Sequence, residues 1–216
     1  PGRTAGVIMQ DDFEDGDFTS NPTWRVFAGQ FQVRNGFLSV KLSQPGANSA
    51  ADTSNQLAVS GFLRQALGVR VPSQDQVAAI SQGANIPNAF KIETQLLGSA
   101  NSLVQMHLGP YLGNDLTTGY RLVFDQGSSN RIALVRRTDG ETEVLIDRTG
   151  VTELGDGSRH TLSWVRETNG RMTVSLDGKP ILRATDVNVR GSFEGFSFVN
   201  LAGAWNMHDI TIHRYE

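Results

Sequence analysis

Short stretches in which apolar and polar residues alternate, broken by Gly, Asn and Asp, constrain this chain more than any other feature. Alternation with period two places successive side chains on opposite faces of a strand, so each stretch can bury one face. Residues 31–42 read as a hairpin turning at Asn35-Gly36, a dipeptide suited to tight two-strand turns. Further strands are predicted at 90–96, 103–108, 120–124, 131–135, 143–146, 160–165, 172–176, 193–199 and 209–212. About ten strands at this turn-punctuated spacing predict an all-β sandwich. No linker, internal repeat or heptad pattern interrupts them, so a single domain over 1–216 is expected.

Two turns carry a register prediction. Thr138-Asp139-Gly140 and Thr168-Asn169-Gly170 share one pattern. A two-residue loop at Asn169-Gly170 sets Ser163 against Leu176 and mixes polar with apolar on one face. A three-residue loop, with Gly170 left-handed as a bulge, pairs Leu162 with Leu176 and Trp164 with Val174. One residue of slip moves a strand's whole apolar set to the other face. Three-residue loops with a glycine bulge are therefore predicted at both turns.

Residues 43–76 break the pattern and read as an insertion. The stretch 43–55 is small, polar and turn-prone, which predicts a surface excursion. Residues 57–67 are compatible with a short helix, weakened at Gly61. Ser73-Gln74-Asp75-Gln76 resembles a helix capping box, but a strand over 77–81 is the preferred reading, because Ile86-Pro87-Asn88 then leads into the next strand.

Composition narrows the function classes. The chain has no cysteine, which excludes a disulfide scaffold, a thiolate metal site and a cysteine nucleophile. Its net charge of −3 excludes a strongly basic nucleic-acid binder. No apolar run approaches the roughly 18 residues of a membrane-spanning helix. The sequence starts at Pro1 rather than Met, so a processed or trimmed chain is expected, any signal peptide already gone. A secreted, extracellular or cell-surface setting is expected.

Several segments together carry a family resemblance. They are Asp11-Asp12-Phe13-Glu14-Asp15-Gly16-Asp17-Phe18, Asn21-Pro22-Thr23-Trp24, Gly36-Phe37-Leu38, the run Gly157 to Leu162, the run Gly170 to Gly178, and Asp209-Ile210-Thr211-Ile212. In this order the chain resembles the concanavalin A-like lectin/glucanase superfamily, especially its bacterial laminin-G-like secreted modules, over roughly residues 9–214. The resemblance implies two antiparallel sheets packed as a jelly-roll sandwich, one face curved into a groove. It says little of activity, since that fold hosts lectins, glycanases, adhesion modules and structural domains.

Catalysis of glycan hydrolysis needs two carboxylates at controlled spacing. The Glu-x-Asp-x-x-Glu string of the glucanase branch is absent. Glu141-Thr142-Glu143 is the nearest approach, and its better reading is charge pairing with Arg136 and Arg137 across a turn. No catalytic residue is assigned. Calcium is the ion the resemblance implies, with Asp12, Asp209 and the carbonyl of Gly36 at the matching positions; a solvated acidic loop with turn hydrogen bonds is the alternative. His208 and His213, five apart on a strand, point to opposite faces and form no transition-metal site.

Polar positions alternating with core residues supply the binding candidates. Glu93, Gln95, Gln105, His107 and Arg121 fall on strands expected to be neighbours. On a concave face they line a groove suited to sugar hydroxyls; the alternative is an ordinary solvated sheet face. Tyr111 and Trp205, in loop-like stretches, are the candidate aromatic platforms, with structural packing as the alternative. Trp24 and Trp164 read as core. Within an N-terminal extension at 1–9, residues 5–9 form an apolar strand that pairs within its own sheet by default or adds to a neighbour's edge, which makes residues 1–9 the candidate self-association segment. The overall expectation is a non-catalytic module binding a glycan or cell-envelope partner. A self-assembling fibre or surface-layer subunit is the first alternative, and an atypical glycan-acting hydrolase the second.

Overall fold

The computed structural model describes residues 2–41, 77–100, 104–126 and 130–216. The expected insertion at 43–76 and the helix at 57–67 lie outside those residues. The described residues form two antiparallel sheets, a jelly-roll sandwich. The first sheet runs, in spatial order, β13 (Lys179–Thr185), β12 (Arg171–Leu176), β11 (Arg159–Arg166), β6 (Phe90–Gly98), β15 (Trp205–Tyr215), β4 (Phe37–Lys41) and β3 (Gln30–Arg34), with β1 (Thr4–Asp11) also paired to β15. The second runs β10 (Glu141–Arg148), β9 (Arg131–Thr138), β8 (Asp115–Gln126), β7 (Val104–Leu112), β14 (Phe193–Ala202), β5 (Ala78–Ile86) and β2 (Trp24–Ala28). The strand reading of 77–81 over the helical one is correct. β13 has no counterpart among the predicted strands because Pro180 marks it as a poor ladder member; it lies at a sheet edge, where proline is tolerated.

Alternate residues of the facing strands meet in the core. Phe90 lies edge-on to both Trp164 and Phe193, with ring centroids at 5.5 and 5.9 Å, and Phe124 lies edge-on to Trp205 at 5.8 Å. Each such pair contributes about 0.5–1.5 kcal/mol beyond its burial. Trp24 is core, as expected, and its indole N–H donates to Asp11 Oδ2 at 2.7 Å.

The register at residues 168–170 is the predicted one. Leu162 faces Leu176 and Trp164 faces Val174. The loop closes with Gly170 N–H on Glu167 O at 2.9 Å, and Gly170 takes φ +82°. Asp139-Gly140 is a correction. Thr138 pairs directly with Glu141, so the loop has two residues, both at positive φ (53° and 79°), as in a type I′ turn. The slip is absorbed further along: β10 shifts register between Val144 and Ile146, which returns Ile146 to Leu134 and the core. Sequence pattern required one extra residue in this hairpin, and the chain placed it in the strand.

Residues 5–9 pair within the chain's own sheet. β1 pairs with β15 from Thr4↔Tyr215 to Asp11↔Ile210, with register shifts on both sides of Val7. The N-terminal strand is thus part of the chain's own sheet.

Two polar clamps stand out, the first joining the two sheets and the second closing the end of β11 within the first sheet. Asp186, almost fully buried, accepts from Tyr120 Oη at 2.6 Å and Asn188 N–H at 3.0 Å and forms an ion pair with Arg136. His160 sits between Asp177, 2.6 Å from Nδ1, and Asp156, 3.1 Å from Nε2.

Candidate functional site

The expected binding face does not assemble as one surface. Gln95 pairs with Thr161 and Asp209, and Glu93 with Ser163 and Thr211, all in the first sheet. Gln105, His107 and Arg121 belong to β7 and β8 of the second. The chain crosses between sheets after β6, so the two groups lie on opposite layers of the sandwich. Period two fixes the face of each strand but is silent about which sheet the strand joins.

His107 and Arg121 face away from the core, as expected, yet neither is exposed. Val123, Ala133, Val135, Val199 and Leu201 form a second apolar cluster on the same outer face, which is therefore buried in its middle. Arg121 lies across it, donating from Nη1 to Gly109 O at 2.7 Å, from Nη2 to Ser197 O at 3.1 Å and from Nε to His107 Nδ1 at 3.2 Å. Burial pushes the guanidinium down to about 9, with Asp115 opposing, and pushes His107 well below the ordinary imidazole range, reinforced by Arg121 and Arg137. Both are corrected from ligand contacts to an internal polar layer. Gln105 joins them, donating to Asp125 at 2.8 Å. Trp205 is corrected likewise: it is 1% exposed and packs on Phe124 inside β15.

The implied calcium donors do not gather. Asp209 accepts from Gln95 N–H at 2.8 Å with Oδ1 and from Gln95 Nε2 at 3.0 Å with Oδ2, and Asp12 Oδ1 accepts Glu14 N–H at 3.1 Å. Gly36 closes a two-residue turn whose nearest side-chain neighbours are Glu14 and His208. Among the described residues no group of three His, Asp or Glu is placed to hold a metal. A site collecting six to eight oxygens does not fit this set. Glu143, by contrast, forms the expected ion pair with Arg136.

A groove opens where the buried middle of this outer face ends. In a row across the second sheet, Gly83 pairs with Gly195, Gly195 with Tyr111, and Tyr111 with Gly119. Of this row only Gly83 has open space where a side chain would stand, and there lies a hollow of about 600 Å³ floored by Ser81, Gly83 and Tyr111. Arg25, stacked 4.6 Å over the Phe27 ring, forms one wall; Asn114 and Leu116 of the β7–β8 turn form the other; Glu194 stands at the end. The turn is held rigidly, since Asp115 Oδ1 accepts the Thr117 N–H at 2.8 Å and its hydroxyl at 2.6 Å, and Leu116 O accepts Ser197 Oγ at 3.0 Å. Tyr111, the one binding candidate placed here, is 9% exposed, its ring lying over Gly195. A second hollow of about 540 Å³ adjoins, bounded by Gly83, Ala84, Asn85, Ser192, Phe193 and Glu194.

Arg25, Asn114 and Glu194 supply charged donor, amide and carboxylate acceptor beside an aromatic ring, the mixture that polyhydroxylated ligands need. Among the described residues Glu194 is the one carboxylate lining either hollow. Sequence reasoning missed these three residues because they come from β2, the β7–β8 turn and β14, far apart along the chain. One local signal existed: Gly83 inside a strand, a position that often marks close approach of a ligand or backbone.

No family model and no curated protein sequence matches the chain. Solved structures do match it in fold. The carbohydrate-binding module CBM66 from Bacillus subtilis superposes with a TM-score of 0.61 at 12% identity, covering 88% of this chain and 94% of that one. The carbohydrate recognition domain of Emp47p gives 0.60 at 9% identity, covering 92% and 93%. A structure described as a native glycosidic hydrolase gives 0.63 at 10% identity, covering 97% of each chain. At such identities the likeness establishes the lectin-like β-sandwich fold and nothing finer.

Proposed function

We propose that this chain is a non-catalytic glycan-binding module of a secreted or cell-surface setting, taking its ligand in the groove between β2 and the β7–β8 turn. The carrying observation is the groove itself, where Arg25, Asn114 and Glu194 converge around Tyr111 on a floor left open at Gly83. Neighbours described as a carbohydrate-binding module and a carbohydrate recognition domain support this reading. Among the described residues the groove carries a single carboxylate, which supports binding over hydrolysis, a reaction that in most glycosidases takes a pair.

Glycan-array binding followed by calorimetric titration tests it. The wild type binds at least one glycan. Glu194→Gln and Asn114→Ala, both at exposed positions, weaken binding about tenfold or more, the loss expected when a hydrogen bond involving a charged or polar groove residue is removed. A folded wild type that binds nothing on the array overturns the proposal.

A further inference from the structure

We propose that the groove takes an internal stretch of a glycan chain, two or more sugar units at once, which crosses from one hollow to the other over Gly83. The inference rests on the glycan-binding reading above and adds the length and threading of the ligand.

Gly83 is the first ground. Within a strand, glycine loses conformational entropy on folding and offers no side chain to pack. Other described glycines have a local reason to be glycine, either a positive φ or a neighbour that leaves no room for a Cβ. Gly195, next to it in the row, would place a Cβ 2.3 Å from Gln82 O and 2.7 Å from the Tyr111 ring. Gly83 has neither reason. Its φ is not positive, its face is exposed, and the nearest atom to an added Cβ is Glu194 O at 3.9 Å. Open space above a strand-interior glycine is what a ligand crossing the strand requires.

The second ground is continuity. The two hollows, about 600 and 540 Å³, share Gly83 and Glu194. Each has its own polar groups, Arg25 and Asn114 in one, Asn85 and Ser192 in the other, while the Glu194 carboxylate serves both. A single sugar ring fills one side of Gly83 and leaves the other polar set without a ligand. A chain of two or more units reaches both sets of polar groups.

The test is a length series. Glucose, xylose, galactose, mannose and fructose oligomers of one to six units are titrated calorimetrically into the wild type, Gly83→Phe and Asn85→Ala. The wild type binds the longer oligomers of its preferred sugar at least about tenfold more tightly than the monosaccharide. Gly83→Phe, which fills the crossing point, and Asn85→Ala, which strips the second hollow, each reduce that ratio towards unity. Asn85 is exposed, so its variant carries the test should Gly83→Phe fail to fold. Wild-type binding with no length dependence, or a ratio unchanged in both variants, overturns the inference while leaving glycan binding intact. No binding of any oligomer overturns both.

Discussion

Alanine at Gly195 and alanine at Gly83, tested separately, set two paired glycines of one sheet face against each other. At Gly195 the new methyl meets the Gln82 carbonyl oxygen at 2.3 Å and the Tyr111 ring at 2.7 Å. The first neighbour is backbone in the adjacent strand and cannot move without disturbing the β5–β14 ladder. Overpacking of this kind costs about 1–3 kcal/mol, against about 0.5–1 kcal/mol gained by replacing glycine within a strand. Net destabilisation of about 1–2 kcal/mol is expected. At Gly83 the methyl has only Glu194 O at 3.9 Å, an ordinary contact, so the gain stands alone. With about 2–4 °C per kcal/mol for a domain of this size, Gly195→Ala lowers the melting midpoint by roughly 2–8 °C and Gly83→Ala raises it by roughly 1–4 °C. Calorimetric melts and urea midpoints measured side by side decide the matter. Shifts of the same sign in both variants refute the reasoning, because the only difference invoked is the space above each Cα.

Further outcomes follow from the clamps and the turns. Burial disfavours charged His160, but its hydrogen bonds to Asp177 and Asp156 more than offset this and hold its pKa above the ordinary 6.5. Its stabilisation is therefore complete below that value and is lost as pH rises through the folded one, so His160→Gln lowers the midpoint more at about pH 5.5 than at about pH 9. Asp186→Ala leaves Arg136 and Tyr120 without their buried partner and costs about 3 kcal/mol in urea unfolding. Melts with calcium and with chelator coincide, since Asp12 and Asp209 are engaged by Glu14 and Gln95; a midpoint several degrees higher with calcium contradicts that assignment.

The fold was legible where local pattern and local energy agree. Leu162, Trp164, Val174 and Leu176 alternate cleanly, so their shared face alone sets the loop at Gly170 without reference to any long-range contact. The hairpin at Asp139-Gly140 satisfies the same alternation by another route, a bulge in β10, and pattern alone cannot choose between an extra loop residue and an extra strand residue. His107 and Arg121 show a second limit. They stand on the face of β7 and β8 that alternation predicts, but whether that face is wet depends on what covers it, which period two does not encode. The groove lay furthest from view. Arg25, Asn114 and Glu194 meet only because β2, β7 and β14 lie close together in the second sheet, an order set by partners far apart in sequence. Gly83 was the local trace of it.

Backbone amide NMR during titration with the best array glycan locates the ligand on one sheet or the other. With ligand in the groove of the second sheet, shift changes cluster at Gly83, Gly113, Asn114 and Glu194, and Glu93 and Gln95 on the opposite layer stay unmoved. Changes centred on Glu93 and Gln95, or saturating binding with the groove amides silent, contradict groove binding.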